Sequence, residues 1–330
     1  MPVDSRTLQR LAQIPNLTIY EKVPLARYTR FAIGGPADIL VDTDSEEAFI
    51  DALRIARASG SYTVIGGGTN LIVSDAGFPG IVLRLASRGI RNDQLTIRVE
   101  AGAELQALVD YSIEHGLKGL ETMTGIPGSV GAAIYGNAGA YGHSINERIR
   151  QVRFFDGSAI RVIGNQECEF RYRDSIFKRR KDWIIFSAEL EMSEAPQAEL
   201  SRIAADILKI RLEKYPLDMK CAGSIFKNLL LADLPESARS LVPERVVREG
   251  KVPSAYFLEQ VGAKGMQNGG IHVADYHANL IYNAGHGTSR ELCALIASLK
   301  LQVQQRFGIT LEEEVQYIGF SAADAIQSAS

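Results

Sequence analysis

The sequence predicts an α+β chain in which two sheet-forming lobes precede a smaller region that begins near residue 214. Three observations carry this reading. Strand-like runs alternate with amphipathic helices from residue 38 onward, a β-α-β order. Two glycine-rich loops, 66–68 and 125–131, sit on successive sheet-forming segments. Past residue 214 the character changes, and a loop and a proline-punctuated stretch replace regular periodicity.

The elements follow in order. Asp38–Val41 reads as a strand, and Asp44-Ser45-Glu46-Glu47 as a helix start; Phe49, Leu53 and Ala56 mark its inner face until Gly60. Tyr62–Ile65, 81–84 and 96–100 read as further strands. A second helix carries Leu105, Leu108, Val109 and Ser112 on one stripe and ends at Gly116. The stretch 119–142, GLETMTGIPGSVGAAIYGNAGAYG, has little regular pattern. A flexible linker would mix glycine with serine and charge. This one interleaves Ile126, Val130, Ile134, Tyr135 and Tyr141, which argues for an ordered, buried loop. Strands are expected at 151–155 and 184–191, then a helix with Leu200, Ile203, Ile207 and Ile210 in phase, stopped before Pro216. MKCAGSIFKN (219–228) reads as a loop and 229–252 as irregular, a lid or a rim. A long helix runs from Thr288-Ser289 to Gly308, and Val315–Phe320 closes the chain as a strand.

Composition excludes several function classes. With 330 residues, 46% apolar, 23% charged and a net charge of −3, the chain can bury a sizeable core and offers no basic field for nucleic acid or an anionic membrane. No apolar run approaches the roughly 20 residues of a membrane span, and the N-terminus lacks a charged-then-apolar leader pattern. Cys168, Cys221 and Cys293 are too far apart for a CxxC metal site, so reduced thiols, no metal and a cytoplasmic location are expected. No obligatory protein partner is evident.

IGGGTN (65–70) directly follows a strand. A dinucleotide fingerprint starting at Gly66 would need glycine at 71, where Leu71 stands; no G-K-[ST] follows for a P-loop. GIPGSVG places glycines at 125, 128 and 131. Successive main-chain N–H groups in such turns form anion nests. Two facing nests could hold a pyrophosphate between two lobes.

Eight segments then occur in one order: TRFAIGGPA (29–37), VIGGGTNLIVSD (64–75), GLETMTGIPGSVGAA (119–133), NAGAYG (137–142), YRDSIFK (172–178), AGSIFKN (222–228), HANLIYN (277–283) and LEEEV (311–315). In this the chain resembles the UDP-N-acetylenolpyruvoylglucosamine reductase (MurB) family over almost its whole length. The resemblance implies a two-lobed FAD-binding domain of the vanillyl-alcohol-oxidase-like (PCMH) type plus a smaller α/β substrate-binding domain. The lobes would span 1–95 and 96–213, the substrate domain 214–310, and a C-terminal strand 311–330. It implies noncovalent FAD held by Ile65, Gly66, Gly67, Gly68, Thr69 and Asn70, and by Gly125, Ile126, Pro127, Gly128, Ser129 and Gly131. NADPH would be the cosubstrate, in a UDP-N-acetylmuramate dehydrogenase of peptidoglycan precursor synthesis.

The chemistry constrains the site further. Reducing an enol ether conjugated to a carboxylate puts hydride on the terminal carbon and a proton on the carbon bearing the carboxylate. Negative charge builds on the carboxylate in between. Such a site needs a cation against the carboxylate, a proton donor and a hydride relay. Arg173 suits the first role, because a guanidinium grips a carboxylate by two parallel bonds. Ser224 suits the second, because an enolate carbon is basic enough to take a hydroxyl proton. The family pattern selects Glu314 from Glu312, Glu313 and Glu314, to bond the enolate side or orient a water. Lys214, Asn228 and Tyr141 fall where the family places substrate contacts. His277 reads as a structural loop residue, and Cys221 is not a convincing nucleophile, its neighbour Lys220 being read as solvated.

The chain also departs from the family's commonest pattern. Leu229 follows FKN where proline is usual, Ala132 replaces a frequent glycine, and 229–252 is long. No tyrosine-bearing insertion lies between Phe177 and Ser224, which points to the shorter subtype. Another FAD oxidoreductase, acting on sugar alcohols or lactones, would share the glycine loops without needing Ser224, Arg173 and Glu314. A catalytically silent nucleotide-binding protein would use the loops alone.

Overall fold

Residues 3–320 are described by a computed structural model, in which the chain passes repeatedly between two units. The first comprises Met1–Lys22, Asp38–Gly67 and Gly80–Pro216; the second comprises Val23–Ala37, Gly68–Pro79 and Leu217–Ser330. In chain order the main elements are α1 (Ser5–Ala12), β1 (Thr18–Glu21), β2 (Ala37–Thr43), α2 (Glu46–Ser59), β3 (Tyr62–Ile65), β4 (Leu71–Val73), β5 (Phe78–Leu85), β6 (Ile90–Asp93), β7 (Thr96–Glu100), α3 (Leu105–Glu114) and α4 (Val130–Tyr135). They continue with β8 (Ile149–Phe155), β9 (Ile160–Gly164), β10 (Ile184–Glu191), α5 (Gln197–Lys214), β11 (Lys220–Ser224), α6 (Ser254–Gln260), β12 (Gln267–Asn268), β13 (Ile271–Ala274), β14 (His277–Asn283), α7 (Ser289–Phe307) and β15 (Gln316–Ile318).

In the first unit β1-β2-β5-β3 form one sheet, with β3 parallel to β5, and β9-β8-β10-β7-β6 form an antiparallel second sheet. α2 starts where Ser45 accepts the Ala48 N–H, with Glu46 and Glu47 in its first turn, and it stops at Gly60. Its inner stripe includes Phe49, Ala52, Leu53 and Ala56. Phe49 meets Phe186 of β10 edge-on, with ring centroids 5.9 Å apart, so the two expected lobes share one core.

Two expectations change here. Residues 119–142 are ordered, but they include the helix α4, capped by Ser129, and Tyr141 is exposed. In α5 Leu200 and Ala204 are buried and Ile203 and Ile207 half-buried, so the expected stripe holds as far as Ile207 and fails at Ile210. Ile210 is 50% exposed, because Leu208 and Arg211 are the residues that reach Gly125.

The second unit is built on the antiparallel sheet β11-β14-β13-β12 with α6 and α7. Residues 23–37 and 68–79 belong to this unit, in contrast to the contiguous division expected. The cause is packing: Phe31, Ile33 and Ile72 lie in its core, and β4 pairs in parallel with β15. α7 carries a Thr288–Glu291 capping box and ends at Gly308. Asp75 adds to that cap. Its carboxylate accepts the Ser289 and Arg290 N–H groups at 2.8 and 3.1 Å, while its own N–H donates to Ser289 Oγ. MKCAGSIFKN is not all loop, since 220–224 pairs with β14, and His277 opens a strand. The 229–252 segment closes on itself. Leu229–Leu230 pair with Lys251–Val252 at its ends, and Leu234, Ala238 and Val252 are buried. The part of the expected C-terminal strand segment beyond 320 lies outside the described residues.

Phe186→Ala should remove about 3–5 kcal/mol from the stability of the first unit. Trp183 is the chain's sole tryptophan and stacks on Phe154 at 4.5 Å, so its fluorescence during urea unfolding reads the loss. An unchanged midpoint would mean that the two sheets do not share a core.

Candidate active site

The glycine loops of the first unit meet main chain to main chain. A Cβ on Gly66 would stand 2.6 Å from Ser129 Oγ, and one on Gly67 would stand 3.1 Å from Gly128 Cα and 3.3 Å from Ser129 N. The glycines at 66 and 67 are therefore needed first for this approach. In the second loop several N–H groups are used inside the protein. Gly125 donates to Gln106 Oε1 at 2.6 Å, Ile126 to the Met123 carbonyl, Val130 to Ala103 and Gly131 to Ala101. Pro127 has no N–H. Gly131 lies against Ala101, and Ser129 caps α4. Gly67 and Pro127 are exposed, while Ile65 ends β3 with its side chain buried.

After Gly67 the chain enters the second unit. Gly68 lies on the Tyr28 carbonyl, and Thr69 leads to Asn70. The Asn70 side-chain amide donates to the Glu314 carbonyl at 2.9 Å, and the Asn70 carbonyl accepts the Gln316 N–H at 3.0 Å. This residue, expected to touch the cofactor, holds the backbone of an expected catalytic residue.

Arg173 sits in the first unit on a turn closed by the Arg171–Asp174 bridge. Its guanidinium donates to the Gly139 carbonyl at 2.8 Å and, at 3.5 Å, to that of Asn137. Asn137 is buried and returns a side-chain bond to the Arg171 carbonyl at 2.9 Å. Lys178 Nζ donates to the Arg173 carbonyl, and the buried Ser175 hydroxyl donates to Tyr135. Asp174, the adjacent acid, pairs with Arg179 at 2.5 Å. Tyr141 lies beside this arrangement. It opens the two-residue turn of the hairpin that pairs Gly139–Ala140 with His143–Ser144, where Tyr141 and Gly142 both have positive φ, at +54° and +83°. Asn137 and Arg173 are also left-handed, at +44° and +54°. Three non-glycine residues in sparsely populated backbone conformations thus converge on one place. Burial pushes the Tyr135 phenol upward, with the Asp174 charge adding, so it keeps its proton at neutral pH.

In the second unit β11 holds one extra residue against β14 between Cys221 and Ser224. Gly223, at φ +80°, occupies this bulge. Nothing stands within 4 Å of a Cβ there, so backbone conformation and not space calls for glycine. The bulge re-aims Ser224 relative to a regular strand. One residue on, the Ile225 carbonyl accepts the Glu314 N–H at 2.7 Å, and Lys227 N–H donates to the Glu312 carbonyl. Ser224 and Glu314 are brought together by this pairing. Glu312 and Glu313 form ion pairs with Lys227 and Lys300.

Of the other candidates, Lys214 ends α5 with its ammonium 5.0 Å from the Tyr215 ring centre, and Asn228 is exposed after Lys227. Burial raises the Cys221 thiol and pushes that of Cys168 up to about 12, so neither is a ready nucleophile. His277 Nδ1 accepts the Asn279 N–H at 3.2 Å, a structural role. Sequence reasoning missed Asn137 and Asn279. Both are buried amides; for Asn279 the available signal was an asparagine inside an otherwise apolar strand run, Ala278-Asn279-Leu280-Ile281.

Comparison with known proteins places these features. The family model described as UDP-N-acetylenolpyruvoylglucosamine reductase, C-terminal domain, matches residues 215–318, and the FAD binding domain model matches 37–162. A UDP-N-acetylenolpyruvoylglucosamine reductase from Solibacter usitatus is 63% identical over 311 residues, 94% of this chain and 100% of that protein. One from Bacillus licheniformis is 34% identical, covering 95% and 98%. The crystal structure of the Thermus caldophilus enzyme matches with a TM-score of 0.73 at 29% identity, over 92% of this chain and 99% of that one. The bulged Ala-Gly-Ser strand, the paired glutamate and the facing glycine loops therefore stand in a chain that belongs to the UDP-N-acetylenolpyruvoylglucosamine reductase family.

Proposed function

We propose that Arg173, Ser224 and Glu314 carry the reductase chemistry of this FAD-dependent enzyme. The reaction reduces the enolpyruvyl group of UDP-N-acetylenolpyruvoylglucosamine to UDP-N-acetylmuramate at the expense of NADPH. The observation that carries the proposal is the placing of Ser224 on a bulge, one residue from a backbone bond to Glu314. FAD, when bound by the two glycine loops, would supply the hydride chemistry that links NADPH to the enol ether. The Ser224 hydroxyl gives its proton to the carbon bearing the carboxylate. Glu314 bonds the enolate side or orients a water there. Arg173, whose head is fixed by main-chain carbonyls, grips the carboxylate as charge builds on it.

The two glycine loops are our candidate pyrophosphate site, because Gly67, exposed and without a side chain, lies against the main chain of Gly128 and Ser129. With four amides of the second loop engaged internally, Gly128 and Ser129 are the donors we assign to the phosphates, together with those of Gly66–Thr69. Tyr141, held out of its preferred backbone region, forms a wall of the substrate and nicotinamide site, and Lys214 and Asn228 contact the nucleotide sugar. The same reading places the reaction in the cytoplasm, in the supply of cell-wall precursor for growth and division.

Arg173→Ala should lose about 10²–10³ in the rate at which the enol ether reoxidises the reduced flavin. Reduction by NADPH should stay close to unchanged, since no enolate forms in that half-reaction. Anaerobic stopped-flow of the two half-reactions separates them, and equal damage to both would mean a structural or cofactor role for Arg173.

Gly67→Ala should weaken FAD retention by about ten-fold, the size of one strained contact of about 1.4 kcal/mol. The added methyl presses on Gly128 and Ser129. Equilibrium dialysis of the flavin measures this, and wild-type retention would mean that the loops give way at no cost.

A further inference from the structure

The strand ladder between β11 and β14 has its last pair at Ser224 and Leu280. Just beyond, one more main-chain bond is made and a side chain then takes over. Ile225 N–H donates to the Asn279 carbonyl at 3.1 Å, the Phe226 N–H donates to Asn279 Oδ1 at 2.9 Å, and Asn279 Nδ2 donates to the Phe226 carbonyl at 2.8 Å. The second Nδ2 proton goes to Ser254 Oγ at 2.8 Å, and that hydroxyl donates to the same Phe226 carbonyl at 3.3 Å. Asn279 is 3% exposed and Ser254 fully buried, so water does not compete for these bonds. The carboxamide thus makes to Phe226 the two bonds that a neighbouring strand would make. On its opposite edge, 225–227 bonds to 312–314 through the Ile225 carbonyl and the Lys227 N–H.

We infer that Asn279 is a positioning residue for the proton transfer. Its carboxamide continues the ladder past the bulge, and so fixes where the Ser224 hydroxyl stands relative to Glu314. The inference rests on Ser224 as the proton donor. Without the carboxamide this edge keeps only the Ile225 N–H bond to the Asn279 main-chain carbonyl and the longer Ser254 bond to the Phe226 carbonyl, so the register of Phe226 is less firmly set and the bulge at Gly223 can relax toward a regular strand. The Ser224 hydroxyl would turn with it, because a one-residue change in a strand reverses the direction of its side chains. Flavin reduction by NADPH uses no proton from Ser224 and is indifferent to this change.

The test is a double-mutant cycle on the FAD-loaded enzyme, read in single turnovers of the two half-reactions. Asn279→Asp keeps the acceptor for Phe226 N–H but sets an oxygen against the Phe226 carbonyl. It should slow reoxidation by UDP-N-acetylenolpyruvoylglucosamine on the order of 10- to 100-fold, the effect of a misplaced reacting group. Reduction by NADPH should be unchanged. In a Ser224→Ala background the same substitution should add no further slowing, because the group it positions is already gone. Equal slowing of both half-reactions, or full additivity with Ser224→Ala, would overturn the inference in favour of plain structural support. Slow reoxidation by Ser224→Ala beside a wild-type rate for Asn279→Asp would overturn it alone; normal reoxidation by Ser224→Ala would overturn the proton-donor reading beneath it. Should Asn279→Asp fail to fold, Ser254→Ala keeps the carboxamide and removes one of its partners. It should give a smaller slowing confined to the same half-reaction, and a wild-type rate there would count against the inference.

Discussion

Gly67 lies so close to the second loop that a Cβ on it would stand 3.1 Å from the Gly128 Cα and 3.3 Å from Ser129 N. The rest of the first unit is arranged to permit this. β3 delivers Gly66 and Gly67 from one sheet, while Gly128 and Ser129 are fixed by α3, through the Leu105 N–H to the Gly128 carbonyl, and by the start of α4. The shared core around Phe49 and Phe186 keeps the sheet of β3 and the sheet of β7 in one body. A methyl group at the contact would act on both loops at once, because protein interiors transmit small displacements.

The proposed chemistry then uses backbone conformations that side chains ordinarily avoid. Asn137, Tyr141 and Arg173 are all left-handed; Arg173 bonds the Gly139 carbonyl of the hairpin that carries Tyr141, and Asn137 bonds the Arg171 carbonyl. Gly223 supplies the same freedom on the bulge before Ser224. Strained positions persist only where surrounding bonds over-determine them. Here those bonds are main-chain carbonyls around the guanidinium in the first unit, and the Asn279 carboxamide with the 312–314 segment in the second.

Much of the fold was legible because it rests on local rules. The Ser45 and Thr288 caps, the stop at Gly60 and the phase of Leu292, Leu295, Ile296 and Leu299 follow from neighbours in sequence. The allocation of 23–37 and 68–79 to the second unit was not legible, because it depends on β4 pairing with β15 across a separation that no local pattern encodes. On α5 the expected stripe holds for Leu200, Ile203 and Ile207 but not for Ile210, because near the end of the helix it is Leu208 and Arg211 that reach Gly125, a contact that spacing alone does not encode. Arg173, Ser224 and Glu314 are proposed from motif order and from the needs of the chemistry. The structure adds the reasons those motifs contain glycine at 223 and asparagine at 137, 70 and 279: each holds a backbone turn or strand that carries a candidate residue.

The central claim is that Ser224 supplies the proton that completes reduction of the enol ether. It is tested most directly by reducing Ser224→Ala anaerobically with NADPH, then mixing it with UDP-N-acetylenolpyruvoylglucosamine while following the flavin absorbance. The account predicts normal reduction followed by a reduced flavin that persists, with partial recovery in Ser224→Cys, whose thiol is the stronger acid. Reoxidation of the alanine variant at the wild-type rate would contradict it and assign the proton to another group or to water.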